Sequence, residues 1–290
     1  MATKTSKAPR QMSAAVRAAR FLWQPQRRGL VLALAVVAAS LAGLVVAWNK
    51  WGAPAMAGGE YVVTPDRITI TPPPAWIHAD VKGQVVQAAN LSRLDLREAG
   101  LVERVSRAFE LHAWVARIRR VEKRFPAQVI VELDYRRPVA AVEVTSQGQA
   151  GLLFVDAEGV LLPSEDFASN QRYDYPRIAV GQSSPAGYGL PWGDEGERVA
   201  GAARIAAAWG ERFRAAGLYR IAVANTPGGQ VAYELRTPGE TRVIWGSPPS
   251  REAAGEPPAE QKIATLLTHI ADKGPLDRTD GERLIDLRAR

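Results

Sequence analysis

The residues from Gly29 to Asn49 constrain this chain more than any other part of its sequence. They read GLVLALAVVAASLAGLVVAWN and contain no charged side chain. At about 1.5 Å of rise per residue, these 21 residues span roughly 30 Å as a helix, the thickness of the hydrocarbon core of a bilayer. The sequence therefore predicts one transmembrane helix over residues 29–49. We expect Leu30 and Trp48 to lie near its two ends as membrane anchors, with Trp48 in an aromatic belt.

The charges that flank this helix predict its orientation. Residues 1–28 carry seven basic side chains and no Asp or Glu, so the positive-inside rule keeps this tail in the cytoplasm. Everything after the helix is then extracytoplasmic, and the protein is a single-pass protein of the cytoplasmic (inner) membrane. A cleaved signal peptide is the alternative, because Ala55 to Ala57 offer a small-residue cleavage site. The long basic tail and the length of the apolar run favour an anchor.

Composition excludes several classes of function. The chain has 37 Lys and Arg against 30 Asp and Glu, and without the seven cations of the tail the two signs balance. A nucleic-acid partner therefore has no support. The absence of cysteine excludes a disulfide framework, a thiol nucleophile and thiolate metal ligands.

The part beyond the helix predicts an α+β fold in two domains. Residues 50–66 are rich in Gly and Ala and read as a linker. The first domain is predicted over residues 67–145. Within it, residues 67–137 predict the order β-α-α-β-β, with a helix that begins near Pro74 and a second one opened by the capping-box pair Asp95 and Glu98. The alternating run from Val129 to Tyr135 predicts a strand with one polar face.

Residues 146–290 predict a β-rich domain with two covering helices. We expect a turn from Asp156 to Gly159, a loop over 163–191 and a helix over 198–216. Three strand-like runs follow, the last two joined by a type II turn at Pro238-Gly239. An amphipathic helix over 260–273 and a short strand at Leu284–Leu287 close the chain.

No pattern in the sequence predicts catalysis. The histidines lack partners at metal-ligand spacing, and no nucleophile elbow, HExxH or phosphate-binding loop is found. Asp194, Glu195 and Glu197 precede a helix, where acidic side chains favour the positive end of the dipole. We therefore predict that the protein is not an enzyme and uses no cofactor, metal or small-molecule substrate. A secreted wall-active enzyme would need two carboxylates facing each other across a groove.

Extended runs at sheet edges favour a binding protein, because an incoming strand satisfies their free backbone groups. Residues 67–290 also resemble the extracytoplasmic region of the FtsQ/DivIB family of bacterial cell-division proteins. Three stretches carry the resemblance: AFELHAWVARIRRVEKRFPAQVIVELDYRRPVAAV, GLLFVDAEGVLL, and IDLR after an amphipathic helix. It implies that residues 67–145 are a POTRA-type module and that the protein is a non-enzymatic divisome scaffold, concentrated at the septum.

The resemblance also implies the partners and the residues that hold them. Small coiled-coil bitopic division proteins would add a strand beside the C-terminal strand and link it to the septal wall-synthesis machinery. The partner-binding residues would be Leu284, Ile285, Asp286, Leu287 and Arg288. The alternative function is a POTRA-bearing component of envelope protein transport or assembly, a class that usually has tandem modules or a membrane β-barrel.

Overall fold

The structure, a computed structural model, describes residues 28–52, 59–146, 148–167, 174–181, 183–225, 231–278 and 283–288. The chain divides into two compact units, one up to Tyr61 and one from Val62 onward. The basic tail before residue 28 and the cleavage-site pattern at Ala55 to Ala57 lie outside the described residues. The expectations placed on these segments stay predictions.

The predicted membrane-spanning run is helical. Helix α1 covers Arg28–Ala47 and continues as a π-helical turn over Trp48–Gly52. The segment Leu32–Gly52 is long and apolar enough to cross a membrane, and none of it is buried within the protein. Trp48 is 58% exposed at the end of α1, while Leu30 lies within α1 and its side chain is outside the described ones. These features support a single-pass membrane protein.

A first module follows, built on a small mixed sheet. Its strand order is β2-β5-β4, with β2 parallel and β4 antiparallel to β5, and β1 pairs with β3 at one side. Two helices cover one face, where their apolar side chains pack against those of β5. The elements are β1 (Val62–Val63), β2 (Ile68–Ile70), α2 (Val81–Ala88), β3 (Leu94–Asp95), α3 (Leu101–Glu110), β4 (Val115–Arg124) and β5 (Gln128–Tyr135).

Both helices of this module begin later than predicted. α2 begins at Val81 rather than near Pro74, because the carboxylate of Asp80 caps it by accepting a backbone N–H at 2.9 Å. The predicted capping box does not form. Asp95 instead ends β3, where its carboxylate accepts the backbone N–H two residues on, and α3 begins at Leu101. The main elements nevertheless follow the predicted order β-α-α-β-β.

A second module contains a larger sheet, whose described residues form seven strands in the order β12-β11-β10-β9-β8-β6-β7. Helices α4 and α6 cover one face, where Ile205, Trp209, Ile263 and Leu266 are buried. The predicted α+β class is confirmed. The elements are β6 (Ala140–Ser146), β7 (Gln149–Val155), β8 (Arg177–Ala179), α4 (Gly196–Trp209), α5 (Arg212–Ala215), β9 (Arg220–Asn225), β10 (Val231–Arg236), β11 (Arg242–Gly246), α6 (Ala259–Lys273) and β12 (Leu284–Asp286).

The sequence predicts the end of the first domain at residue 145, but the change from one sheet to the other comes earlier in the chain. β6 pairs with β7 and β8 in the larger sheet, so the first module ends before it. The change of sheet falls at Pro138, which has no backbone N–H to offer to either sheet. β8, a strand of three residues, lies in the stretch 163–191 that was predicted to be a loop.

Two predicted features of the second module are also wrong in detail. The single helix expected over 198–216 is broken at Gly210, whose φ of +54° is outside the helical range, and α5 follows as a separate turn. The turn between β10 and β11 is not type II, because the residue with positive φ is Glu240 (65°) and not Gly239. The predicted turn from Asp156 to Gly159 is confirmed by the 3.0 Å bond that Gly159 N–H donates to the Asp156 carbonyl.

The hydrophobic core of the first module includes buried residues of the second. Phe154 and Phe167 of the second module pack with Trp114 of the first, and their own rings stack with centroids 3.9 Å apart. The indole N–H of Trp114 also donates to Asp166 at 2.6 Å. Buried aromatic contact across the junction fixes one module against the other.

Candidate partner-binding edge

The C-terminal strand β12 lies at one edge of the seven-stranded sheet. Within the described chain its only strand partner is β11, to which it runs parallel with Ile285 opposite Val243. Ile285 and Leu287 point into the core at 8% and 3% exposure, whereas Leu284 on the opposite face is 48% exposed. The strand predicted at the C-terminus is therefore present, and it is an edge strand.

The register of β12 shows which backbone groups face outward. Arg283 accepts a hydrogen bond from the Arg242 N–H at 2.9 Å, and the Leu287 N–H donates to the Ile244 carbonyl at 3.0 Å. Backbone groups alternate in direction along a strand, so those of the intervening residues Leu284 and Asp286 point away from β11. The described part of this edge thus presents four main-chain groups, two N–H and two C=O, to an incoming strand.

An ion pair between Asp286 and Arg288 lies at the C-terminal end of β12. The carboxylate of Asp286 accepts the backbone N–H of Arg288 at 2.9 Å and binds its guanidinium at 2.6 and 3.0 Å. The hydrogen bonds from Arg288 hold the pKa of Asp286 below its ordinary value. Because the Arg288 N–H is already bonded, strand addition is directed to Leu284 and Asp286.

A buried charge network lies beneath the same edge. Lys262 of α6 has no exposed side-chain surface and donates to the Trp245 carbonyl at 2.8 Å and to Glu256 at 2.5 Å. Its ammonium also lies 4.8 Å from the centroid of the Trp245 ring. A Cβ at Gly246 would lie 2.8 Å from Cγ of Arg288, so the stem of Arg288 covers the end of β11. The network therefore supports the strand on which β12 rests.

The sequence held a signal for this network that the prediction missed. Lys262 precedes Ile263 and lies four residues before Leu266, so it shares the apolar face of the helix. A charged residue on such a face needs a partner. The partner, Glu256, comes from the loop before α6, and only the fold brings its carboxylate to the ammonium.

The acidic cluster of Asp194, Glu195 and Glu197 lies at the start of α4. Glu195 binds Arg198 at 2.9 Å and Glu197 binds Arg251 at 2.5 Å, so both are engaged in ion pairs. Among the described residues, no group of three or more His, Cys, Asp or Glu could hold a metal ion. A cleft of about 1330 Å³ is lined by Asp194, Glu195 and by Glu143, which pairs with Arg220 at 2.8 Å.

His112 has a structural role in the first module. Its Nε2 lies 2.9 Å from Oε1 of Gln84, and its Nδ1 accepts the backbone N–H of Trp114 at 3.2 Å. Burial lowers the pKa of His112. These contacts tie the end of α3 to α2 and explain why a histidine without a metal partner is present there.

Comparisons with known proteins give no match: no protein-family model matches the sequence, and no curated protein is significantly similar to it. Partner binding at residues 284–288 and the FtsQ/DivIB resemblance therefore stay predictions.

Proposed function

We propose that this protein is a non-enzymatic bitopic scaffold of the bacterial cell-division machinery that holds other division proteins on the outer side of the cytoplasmic membrane. The observation that carries the proposal is the open edge of β12, where Leu284 and Asp286 direct backbone groups outward. The apolar helix α1 and the order β-α-α-β-β of the first module agree with the layout that the FtsQ/DivIB resemblance implies, in which this module would be POTRA-type.

The edge fits a short extended segment of a partner. Each backbone hydrogen bond between strands contributes about 0.5–1.5 kcal/mol net, so the outward groups of two residues supply a modest affinity. Leu284 favours an apolar side chain beside it on the partner strand. The Asp286–Arg288 pair favours polar neighbours at the end of that strand. We propose that small coiled-coil division proteins supply the segment and connect it to the septal wall-synthesis machinery.

Proline at position 284 is expected to abolish this binding. The Leu284 N–H points outward, so Leu284→Pro removes a donor from the partner side and leaves the bonds between β12 and β11 in place. Co-purification of the coiled-coil division proteins with the tagged full chain measures the effect, and we expect a loss of at least about tenfold.

Proline at the next position is the matched control. Ile285 is turned towards β11, so Ile285→Pro should detach β12 from its own sheet and lower the unfolding midpoint, which Leu284→Pro should not do. Unchanged co-purification by Leu284→Pro would place the partner elsewhere on the molecule.

The proposed function itself is tested by localisation. A fluorescent protein fused to the N-terminus should give a band at the constriction site of dividing cells of the native host. Uniform fluorescence around the envelope through the whole cycle would contradict a divisome role and would favour envelope protein transport.

A further inference from the structure

The two modules differ in net charge. Residues 62–137 carry 13 basic and 9 acidic side chains, a net of +4, whereas residues 138–290 carry 16 basic and 20 acidic ones, a net of −4. The extracytoplasmic part has no net charge as a whole, but it consists of a basic module followed by an acidic one. The basic module is the one that follows the apolar helix in the chain.

The excess of positive charge is concentrated on β4, an edge strand of the small sheet. Two carboxylates are each shared by two arginines. Asp134 binds both Arg117 and Arg119 at 2.7 Å, and Glu122 binds Arg120 and Arg124 at 3.3 and 3.2 Å. The side chains of these arginines are 54–70% exposed. The two clusters hold four arginines against Asp134 and Glu122, and Glu132, which lies opposite Arg120 on β5, brings the count to four basic and three acidic side chains. The exposed guanidinium groups leave this strand with a positive excess that can bind an anion.

An exposed aromatic residue lies at the tip of the hairpin between β4 and β5. Phe125 is 65% exposed and directly follows Arg124, the last residue of β4. A large apolar side chain with basic neighbours is typical of a surface that enters the interface of an anionic membrane. Prevention of edge-to-edge pairing explains basic residues along β4, but it does not explain a phenylalanine at the tip.

The register of the small sheet places this tip where the chain enters the module. β2 is parallel to β5, and its first residue, Ile68, is opposite Val129 near the start of β5. The turn at residues 125–127 therefore lies at the same end of the sheet as residues 65–67. Arg67 lies at this end as well, as the last residue of the 3-10 turn before β2.

We propose that this hairpin tip, with Phe125 and the Arg120–Arg124 cluster, binds the headgroups of anionic phospholipids on the outer surface of the membrane. Nine residues, 53–61, join the apolar segment to β1, and an extended chain of that length reaches about 30 Å. The tip lies at the same end of the small sheet as residues 65–67, which precede β2. The inference rests on α1 spanning a bilayer and is independent of the division role.

The experiment uses the full chain in nanodiscs and takes advantage of the absence of native cysteine. A bimane label is attached at Phe125→Cys, or at Leu111→Cys as the matched control. Leu111 is 81% exposed and lies just before the opposite end of β4, so both labels replace a large, mostly exposed apolar side chain and differ mainly in position. Quenching by a headgroup nitroxide lipid is measured with phosphatidylglycerol and with phosphatidylcholine alone.

We expect quenching at position 125 to exceed that at 111 by about threefold in phosphatidylglycerol, and to fall in phosphatidylcholine or at high salt. Arg120→Gln with Arg124→Gln should reduce it several-fold, whereas Arg117→Gln with Arg119→Gln, the equivalent pair at the far end, should not. Equal quenching at 111 and 125 would overturn the proposal. Quenching at position 125 that does not change with lipid charge, with salt or with the Arg120 and Arg124 substitutions would overturn it too. The label would then be close to the membrane only because the tether holds it there.

Discussion

Replacing Asp156 with alanine is expected to lower the free energy of unfolding by about 3–5 kcal/mol, because it leaves a largely buried guanidinium unpaired. Asp156 is 2% exposed and binds Arg136 at 2.6 Å. Its other oxygen accepts the backbone N–H groups of Glu158 and Val160 at 3.0 and 2.9 Å. The carboxylate thus holds the last residues of the first module and a turn of the second.

The measurement is urea unfolding of the full chain in nanodiscs, followed by tryptophan fluorescence. Asp174→Ala is the matched control, since Asp174 also binds one arginine, Arg214, at 2.5 Å, but both side chains are more than half exposed. Exposed pairs contribute about 0–1 kcal/mol. Asp156→Asn should be intermediate, because its amide oxygen keeps an acceptor while the charge is lost. A loss for Asp156→Ala as small as the control would show that the junction does not depend on this pair.

The same junction shows what could be predicted from the sequence. The Asp156–Gly159 turn is a local feature, and its residue types predict it correctly. The ion pair to Arg136 joins residues 20 positions apart and depends on how two sheets meet. No periodicity or spacing contains that information.

Local rules also failed where two of them competed. Three prolines before Ile77 fit the first turn of a helix, but Asp80 is the residue that caps it. Asp95 fits a cap as well, yet it turns the chain after β3. β8 was not predicted because three residues carry too little pattern, and pairing with β6 and β9 on both sides is what makes it a strand.

At the candidate edge too, the sequence predicts the strand, whereas only the folded chain determines which of its groups face outward. The sequence predicts a short strand at Leu284 to Leu287 and leaves its place in the sheet open, and in the structure β12 is an edge strand. Which of its backbone groups face outward follows from the parallel register with β11, which is a property of the folded chain. The proposal that Leu284 and Asp286 are the docking residues, with Ile285 turned towards β11, depends on that register.

Lys262→Met is expected to cost about 3–5 kcal/mol at neutral pH, because Glu256 then remains as an unpaired charge in the core. The side chains of Lys262 and Glu256 are 0% and 6% exposed. The double variant Lys262→Met with Glu256→Gln should recover most of the loss, since removing both charges of a buried pair is often nearly neutral. A double-mutant cycle by urea unfolding measures the coupling, and additive losses would contradict it.

The pH dependence separates this mechanism from simple loss of packing. Burial of Glu256 acts to raise its pKa, but hydrogen bonds from Lys262 and from the backbone N–H groups of Ser247 and Ala253 outweigh it, so the pKa is lowered. In the native chain, this group stabilises the fold above its ordinary pKa of about 4.3, and that stabilisation is lost as the pH falls through the lowered value. Without Lys262 the pKa of Glu256 should rise, and protonation should then relieve the unpaired charge. The difference in unfolding free energy between Lys262→Met and the native chain should therefore shrink as the pH falls from 7 towards 4. A difference that is independent of pH would show that Lys262 contributes only its volume, and that the edge strand above it does not depend on the buried charge.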